Sequence, residues 1–320
     1  MRPLILLTLL LGLAGPALAF DLQAHRGGRG LMPENTLPAF ENAIALGVTT
    51  LELDIALTAD GVVVISHDPS LNPLIVRDPS GHWFDKGPAI RSMTFAQLQT
   101  YRLGRIRPDT PYAASFPEQQ SRDGVRMPTL AALFDRVKAL GATDVRFNIE
   151  TKVEPGTGPE SPSPEEVTRA ILRVVRDAGM TARVSLQSFD WRTLQLAQKL
   201  EPRIPTVYLT SQTARFDTIG DGRWTAGFRL ADHGSVPRMV KAAGGSAWSP
   251  YSSTLTEAQV KEAHALGLKV IPWTVNLPGD FDRLLDWGVD GIITDYPDRL
   301  REAMRRHNIA LPRPVPVPAR

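Results

Sequence analysis

Short apolar runs alternate with amphipathic segments along most of the chain, and their order predicts its secondary structure. From residue 128 onward the alternation is regular, because each apolar run is followed by a segment whose apolar residues recur at helical spacing. The predicted strands are 145–150, 184–189, 206–210, 247–250, 268–275 and 291–295, and the predicted helices are 130–140, 164–178, 191–200, 256–266 and 279–287. Repeated strand and helix units of this length favour an α/β fold in which parallel strands close into a TIM (β/α)8 barrel.

The first part of the chain departs from this alternation. Apolar runs end near residues 24, 55 and 66, and a helix is predicted from Leu37 to Leu46 between the first two runs. The sequence TADG at 58–61 predicts a tight turn between the second and third runs, so no helix fits there. The chain therefore contains nine strand-like runs for the eight places of a barrel, and the sequence does not identify the accessory run.

Residues 69–127 have a different texture, with many prolines and few long periodic runs. Only Thr94 to Tyr101 has a helical pattern, for which Thr94 is the candidate N-cap. So long an irregular stretch inside a compact domain is uncommon unless it is functional or disordered. We therefore predict that 69–127 is an insertion above the carboxyl-terminal mouth of the barrel.

Two further segments lie outside the regular pattern. Residues 210–245 are rich in glycine, and within them Phe228–Leu230 is interpreted as a short edge strand. The proline-rich segment 311–320 is expected to be an extended and mobile tail. The barrel is assigned to residues 20–310 as one domain, since a TIM barrel commonly takes about 250 residues plus insertions.

Residues 1–19 have the layout of a secretory signal peptide. An apolar run at 4–13 follows a basic residue, and the triplet ALA at 17–19 predicts cleavage before Phe20. An uncleaved membrane anchor is less compatible with this layout, because the apolar run is shorter than the roughly 20 residues that span a bilayer. The chain has no cysteine, which excludes a lipoprotein anchor and disulfide bonds. We therefore expect an exported protein with no stable membrane anchor.

The charge balance argues against one class of partner. The chain has 36 Lys and Arg against 34 Asp and Glu, for a formal net charge of +2. The basic residues are dispersed and form no stripe with interleaved aromatic side chains. A nucleic-acid partner is therefore not expected, and the sequence gives no oligomeric state.

Ionisable residues stand where the first three apolar runs end. His25 and Arg26 follow the first run, Glu52 and Asp54 lie in the second, and His67 follows the third. Active sites of α/β barrels are built at the carboxyl ends of the strands, so these side chains are candidates for a common site. On a strand, Glu52 and Asp54 point to one side about 7 Å apart along the backbone, and like charges so close require a cation or a shared proton.

A third acid belongs to the same candidate site. Glu150 stands two residues before Lys152 at the end of another predicted strand, so the two side chains share one face. Glu52, Asp54 and Glu150 would form an all-oxygen set, which suits Mg²⁺ or Ca²⁺ better than zinc. The alternative is a structural network in which Lys152 or Arg26 pairs with the carboxylates and no metal is bound.

His25 and His67 are candidates for general acid and general base, since an imidazole with a pKa near 6.5 can take either role at neutral pH. A single histidine at a strand end is often only a satisfied polar residue. Two of them, each followed by a charged residue and separated by the acidic pair, indicate a catalytic site. The sequence does not decide which of them is the acid.

Short motifs in a fixed order carry a resemblance to a known family. HRG, PENT, ELD, T-x-DG and HD occur in this order within one stretch of the N-terminal part. Later motifs are RMPTL at 126–130, NIETK at 148–152, SLQSFD at 185–190, PWTVN at 272–276 and VDGIITDYP at 289–297. With these motifs the chain resembles the glycerophosphodiester phosphodiesterase family, and the resemblance covers nearly all of the mature chain.

The resemblance implies roles for the matched residues. Glu52, Asp54 and Glu150 would be the metal ligands, and His25 and His67 would carry out acid and base catalysis. The candidate substrate-binding and phosphate-binding residues are Arg26, Lys152, Asn35, Phe189 and Trp273. Arg26 is expected to hold the phosphate through its planar guanidinium group, with Lys152 as a second positive contact. The other three match motif positions and are expected to line the mouth.

The resemblance also implies a role for the insertion 69–127, which in the family forms a small subdomain over the pocket and is thought to contact the leaving alcohol. The candidate contacts are His82, Trp83, Tyr101 and Tyr112, although ordinary packing of a surface cap is an equally good interpretation of each. Asp295, in the last motif, is expected to brace the final strand and its loop rather than to take part in the chemistry.

The expected function is metal-dependent hydrolysis of glycerophosphodiesters to sn-glycerol 3-phosphate and an alcohol such as choline, ethanolamine or glycerol. One alternative is a phospholipase D-like barrel that acts on lysophospholipid or sphingolipid. The insertion favours hydrolysis of glycerophosphodiesters over this alternative. Another is an inactive barrel that serves as a binding protein, although none of the histidines or ligand positions is missing. Among exported locations, a periplasmic role in scavenging phosphodiesters fits the family best.

Overall fold

The computed structural model describes residues 20–156 and 161–318. The expected signal peptide, 1–19, lies outside the described residues. The strands are β1 Asp21–Ala24, β2 Thr50–Leu57, β3 Val63–Ile65, β4 Arg146–Thr151, β5 Val184–Ser188, β6 Thr206–Thr210, β7 Ala247–Pro250, β8 Lys269–Val270 and β9 Gly291–Thr294. The helices are α1 Leu37–Leu46, α2 Phe95–Leu98, α3 Pro111–Ser115, α4 Leu130–Ala139, α5 Pro164–Asp177, α6 Trp191–Leu200, α7 Leu230–His233, α8 Val236–Ala242, α9 Glu257–Ala265, α10 Pro278–Asp286 and α11 Pro297–Arg306.

Eight parallel strands form a closed barrel, which confirms the predicted fold. Their order is β8-β7-β6-β5-β4-β2-β1-β9. The two ends of this order meet, because the backbone N–H groups of Asp290 and Ile293 donate to the carbonyl oxygens of Val270 and Pro272 at 2.9 and 3.0 Å. Closure places the last strand beside the first, so the loops that follow β9 and β1 are neighbours at the mouth.

The accessory strand is β3. It pairs antiparallel with β2 and lies off the barrel path, in the register Ile55 to Ile65 and Leu57 to Val63. The turn at 58–61 reverses the chain as predicted, with the N–H of Gly61 donating to the carbonyl of Thr58 at 3.0 Å. The break in strand and helix alternation is therefore a hairpin that extends β2 beyond the barrel.

The helices follow the sequence pattern closely, and most begin at a side-chain cap. The hydroxyls of Thr36, Thr129, Ser163 and Thr256 each accept a backbone N–H from the first turn of α1, α4, α5 and α9. The caps satisfy N–H groups that a helix leaves without an intrahelical partner.

Within the described residues, no helix combines the length and the apolar character that crossing a membrane requires.

Three details of the sequence interpretation were wrong. Phe228–Leu230 is not an edge strand, because Leu230 opens the short helix α7, which Gly234 ends in a left-handed conformation with φ 76°. The run 268–275 forms only the two-residue strand β8, since Pro272 has no N–H to donate to a ladder. The chain after β9 forms α11, which was not predicted.

The insertion 69–127 forms a small core of its own. Seven of its buried apolar residues pack together with Val64, which lies on the face of β3 turned away from the barrel core. They are Leu71, Val76, Ile90, Met93, Leu98, Leu103 and Met127. The main core lies between the barrel and its helices and contains edge-on aromatic pairs such as Phe134 with Phe147, at a centroid distance of 4.8 Å. The accessory strand thus joins the insertion to the barrel.

The C-terminal segment 311–318 is extended, as expected, but it packs against the barrel instead of standing free. Val315 and Val317 contact the main core, and the N–H of Val315 donates to the carbonyl of Ile44 at 3.1 Å. The buried Arg301 of α11 donates through Nη1 to the carbonyls of Gly47 and Pro312. One guanidinium group therefore links α1, α11 and the tail.

We predict that Arg301→Ala lowers the free energy of unfolding by about 1.5–3 kcal/mol, because it leaves two carbonyl oxygens without their charged donor. Urea unfolding followed by circular dichroism would measure the change. The control is Arg305→Ala on the same helix, whose ion pair with Glu302 is exposed and is expected to contribute less than about 1 kcal/mol. Equal losses in the two variants would contradict the proposed link.

Candidate active site

The carboxyl ends of the barrel strands surround a cavity of about 140 Å³. Its lining includes both predicted histidines, two of the three predicted metal ligands and both predicted phosphate-binding cations. The lining residues are His25, Arg26, Arg29, Glu52, His67, Glu150, Lys152, Gln187, Phe189, Leu209, Trp273, Thr274 and Ile293. The fold thus brings together residues that are up to 268 positions apart in the chain, from His25 to Ile293.

Three buried carboxylates cluster at this cavity, and two of them, Glu52 and Glu150, line it. Asp54 on β2 is the register partner of Glu150 on β4, and Glu52 lies on the same face of β2. Each residue offers an oxygen, and these oxygens lie within 4.8 Å of one another. Burial raises the pKa of Glu52 well above its usual value, and the neighbouring charges of Asp54 and Glu150 raise it further. Keeping the three carboxylates ionised therefore costs free energy unless a positive charge compensates them.

Two cations touch the edge of the carboxylate cluster. Lys152 Nζ lies 2.9 Å from Glu150 Oε1 and 3.9 Å from Asp54 Oδ1, while Arg26 Nε lies 3.4 Å from Asp54 Oδ2. Burial alone would raise the pKa of Asp54, but the electrostatic effects of the neighbouring His67, Arg26 and Lys152 hold it below its usual range. These contacts are the salt-bridge network that the sequence left open as an alternative.

The two cations do not fully compensate the negative charge of the three carboxylates. Asp54 Oδ1 is buried and makes no hydrogen bond within the described residues. Burial keeps the pKa of Glu150 raised even with Lys152 beside it. Three carboxylates and two cations leave one negative charge, and the donors are all oxygen, as a hard divalent ion prefers. The residues therefore fit a divalent metal site formed by Glu52, Asp54 and Glu150.

Polar side chains inside the barrel hold Glu52 in place. The N–H of Arg26 donates to Glu52 Oε2 at 2.9 Å, and Gln187 Nε2 donates to Glu52 Oε1 at 2.6 Å. Gln187 in turn accepts from Asn148 at 2.8 Å, and Asn148 also donates to Gln23 at 2.9 Å. Apolar side chains from the other strands, Val207, Ala247, Ile271 and Ile293, fill the rest of the interior. The row of hydrogen-bonded amide side chains therefore orients the carboxylate of Glu52 from inside the barrel.

His25 lies in a 3₁₀ turn directly after β1 and is oriented by Asp295 at the end of β9. Its Nδ1 lies 2.6 Å from Asp295 Oδ1, and Asp295 is itself held by Arg29 at 2.8 Å and by Asn276 at 2.7 Å. Because an ionised carboxylate can only accept, Nδ1 carries the proton and Nε2 is left as the proton acceptor.

The protonation state of His25 follows from its surroundings. Burial lowers the pKa of His25 to about 4, and Arg29 and Arg26 lower it as well, against the opposing charge of Asp295. The imidazole is therefore neutral at pH 7 and can accept a proton through Nε2. The expectation that Asp295 only braces the last strand was incomplete. In a closed barrel the last strand pairs with the first, so the ITDYP motif must lie beside the HRG motif. This neighbourhood could have been used to predict that Asp295 contacts His25.

His67 reaches the site because of the β2–β3 hairpin. The hairpin returns the chain to the level of Asp54, whose carbonyl accepts the N–H of Ser66 at 3.0 Å. His67 Nδ1 lies 2.8 Å from Asp68 Oδ1, and its Nε2 lies 3.1 Å from Lys152 Nζ. The ammonium group can only donate, so Nε2 accepts and Nδ1 donates to Asp68. Asp68 is fixed by the insertion residue Asn72 at 2.6 Å.

Arg26 occupies a strained position at the entrance of the site. Its backbone has φ 50°, in the left-handed region that residues other than glycine rarely adopt. Gly27 follows with φ 80°, and a Cβ there would lie 2.9 Å from the Cβ of Ala39. The chain is thereby turned so that the Arg26 side chain lines the cavity while Nη1 donates to Glu34 Oε1 at 2.8 Å.

The remaining sequence candidates fall into two groups. Phe189 and Trp273 line the cavity, with their rings edge-on at a centroid distance of 5.3 Å. Asn35 is absent from the lining; it is buried and donates through Nδ2 to Asp54 Oδ2 at 3.0 Å, so it positions a carboxylate. From the insertion, Tyr112 bonds to Glu34 and likewise lines no part of the cavity.

The chain is similar to known phosphodiesterases in sequence and in fold. Residues 25–299 match the model of the glycerophosphoryl diester phosphodiesterase family. The glycerophosphodiester phosphodiesterase of Bacillus subtilis strain 168 is 29% identical over 280 residues, which are 86% of this chain and 83% of the relative. A phosphodiesterase from Oleispira antarctica, solved in complex with the product sn-glycerol-3-phosphate, shares the fold, with 22% identity, a TM-score of 0.64 and coverage of 89% and 96% of the two chains.

One solved structure is more similar. A candidate glycerophosphoryl diester phosphodiesterase from Silicibacter pomeroyi DSS-3 is 34% identical to this chain and has a TM-score of 0.81. The similarity covers 91% of this chain and 95% of the other. Because the family model spans the barrel from the first catalytic candidate to the helix after the last strand, this chain belongs to the glycerophosphoryl diester phosphodiesterase family.

Proposed function

We propose that the protein is a metal-dependent glycerophosphodiester phosphodiesterase that releases sn-glycerol 3-phosphate and an alcohol. The observation that carries the proposal is the pair of histidines beside the buried carboxylate cluster, each with its own carboxylate partner. Family membership supports the reaction. The product bound to the Oleispira antarctica phosphodiesterase supports glycerol 3-phosphate as the part of the substrate that the site retains.

The cations of the site suit an anionic substrate. Arg26 and Lys152 both line the cavity, and each is paired with a carboxylate, Arg26 with Glu34 and Lys152 with Glu150. They would bind the nonbridging phosphate oxygens, Arg26 through its planar guanidinium group and Lys152 as a point charge. A divalent cation on Glu52, Asp54 and Glu150, either Mg²⁺ or Ca²⁺, would add positive charge that draws electron density from the phosphate.

The two histidines divide the proton transfers. His25 is neutral at pH 7 and keeps Nε2 as an acceptor, so it takes the proton of the attacking hydroxyl or water. His67 then donates a proton to the departing alcohol, a role for which Nε2 must carry a proton in place of the hydrogen bond that it accepts from Lys152. Asp68, at 2.8 Å from Nδ1, orients the ring for this transfer. The sequence left this division open, and the low pKa of His25 favours it.

We predict that His25→Ala and His67→Ala each reduce kcat by about 10² to 10⁴, because each removes one proton-transfer group. Steady-state release of glycerol 3-phosphate from glycerophosphocholine measures the effect. The matched control is His264→Ala, since His264 is bonded to Asp290 outside the cavity and is expected to leave turnover unchanged. Normal turnover in both variants would rule out the acid and base assignment.

We predict that EDTA abolishes this release and that Mg²⁺ or Ca²⁺ restores it. Calorimetry with each ion gives a readout independent of turnover. Glu52→Gln should weaken ion binding by at least about tenfold, since even changes around metal ligands cost ten- to a hundredfold. Glu262→Gln, which alters a carboxylate bonded to Ser235 and Arg238 outside the cavity, is the control. Full activity in EDTA together with no ion binding would refute the metal site.

The same assay separates the competing functions. Turnover of lysophospholipid micelles without turnover of water-soluble diesters would favour a phospholipase D-like enzyme. Ion binding without turnover of either substrate would favour a barrel that serves as a binding protein. The intact site residues support the hydrolytic reading over the latter.

We also propose that the protein is exported to the periplasm, because residues 1–19 have the pattern of a signal peptide. Expression in a Gram-negative host followed by intact-mass analysis should give a periplasmic species that begins at Phe20. Ala19→Arg would disrupt the small residue before the cleavage point and should leave the longer species. Recovery of an uncleaved wild-type chain in the cytoplasm would contradict the proposal.

A further inference from the structure

The insertion touches the catalytic loop at one face. Helix α3 carries Tyr112, whose ring lies edge-on to Phe116 at a centroid distance of 5.0 Å. Phe116 in turn packs under the guanidinium group of Arg29, 4.9 Å from the ring centroid. Further along, Gln119 Nε2 donates to the carbonyl of Arg29 at 2.7 Å. The insertion thus holds the loop that follows His25.

Tyr112 contacts this loop at the buried carboxylate of Glu34 and at Arg29, whose Nη1 donates to the Tyr112 hydroxyl at 3.4 Å. The Tyr112 hydroxyl donates to Glu34 Oε2, while the other oxygen of Glu34 accepts from Arg26 Nη1 at 2.8 Å. Glu34 is only 4% exposed, so water does not substitute readily for either partner. Tyr112 is absent from the cavity lining, so its hydroxyl acts behind the site and not on the leaving alcohol.

Arg29 competes for the oxygen that Tyr112 occupies. Arg29 Nη1 lies 4.0 Å from Glu34 Oε2, and its Nε bonds to Asp295 at 2.8 Å, where it helps to orient His25. A carboxylate between two arginines can pivot towards either one. The hydroxyl of Tyr112 donates to Oε2 of Glu34, so Oε1 of Glu34 accepts from Arg26. Arg26 thereby keeps its hydrogen bond to Glu34, while the hydrogen bond of Arg29 to a carboxylate is made to Asp295.

We propose that Tyr112 is a positioning residue that acts through Glu34 to hold the Arg26 guanidinium group ready for the substrate phosphate. The inference rests on the proposed function, and it gives the insertion a role other than contact with the leaving group. Because Arg26 would bind the phosphate in both the ground state and the transition state, disturbing it should affect binding more than turnover.

Tyr112→Phe tests the proposal, since it removes the hydroxyl and keeps the ring that packs on Phe116. We expect KM for glycerophosphocholine to rise about 3- to 30-fold, the range for a lost hydrogen bond to a charged group, with kcat changed less than about threefold. The Kd for sn-glycerol 3-phosphate, measured by calorimetry, should rise by the same factor as KM. Unchanged KM and Kd would overturn the proposal.

Tyr101→Phe is the matched control. Tyr101 lies in the same insertion, edge-on to Phe84 at 6.3 Å, and it lines no part of the cavity. A general loosening of the insertion would change KM in both variants, whereas the proposed role changes it only in Tyr112→Phe. Equal changes in KM would therefore count against the proposal.

A double-mutant cycle with Glu34→Gln shows whether Tyr112 acts through Glu34. We expect Tyr112→Phe to add less than about twofold to the Kd once Glu34 is neutral, because residues that share a partner are not additive. Independent, multiplicative effects would refute the route through Glu34. If the wild type released no glycerol 3-phosphate, the proposed function would fail, yet the calorimetric Kd values for sn-glycerol 3-phosphate and inorganic phosphate would still decide the role of Tyr112.

Discussion

Three carboxylates buried within 4.8 Å of one another are the constraint on which the rest of the site depends. Like charges at this distance and away from water repel strongly, so each must be neutralised, paired or bound to a cation. The surroundings of Glu52, Asp54 and Glu150 meet this requirement with cations on one side and neutral amide donors on the other. Because one oxygen of Asp54 receives no hydrogen bond from the described part of the chain, the arrangement has room for a ligand that is itself positive.

The departure from uniform strand and helix alternation serves the proposed chemistry. Hydrolysis of a phosphodiester, as proposed, needs both a proton acceptor and a proton donor. His25 follows β1 directly. The β2–β3 hairpin brings His67 to the same cavity, since it carries β2 past the barrel and returns beside it. The accessory strand therefore positions one of the two proposed proton-transfer residues.

Each of the two candidate histidines is held by a carboxylate. Asp295 reaches His25 from a distant part of the chain because the barrel closes, whereas Asp68 adjoins His67 and is itself fixed by Asn72 of the insertion. The insertion contributes to the site through Asn72 and Tyr112, although none of its residues lines the cavity. Precise orientation by surrounding hydrogen bonds is what allows the few groups that contact substrate to act.

The sequence by itself determined the fold class, the cavity and most of the groups in it. Strand ends that carry His25, Glu52, Asp54 and His67 are visible as polar residues after apolar runs, because periodicity and burial are local properties. Helix limits such as Leu37–Leu46 follow in the same way from a cap and a glycine. The tertiary structure decided what depends on contacts between distant residues. In the tertiary structure β3 is the accessory strand, and Asn35 donates to Asp54 instead of lining the cavity. Asp295 is paired with His25, and Tyr112 with Glu34. No local pattern encodes these pairs, since they arise from closure of the barrel and from packing of the insertion on a loop far from it in the chain.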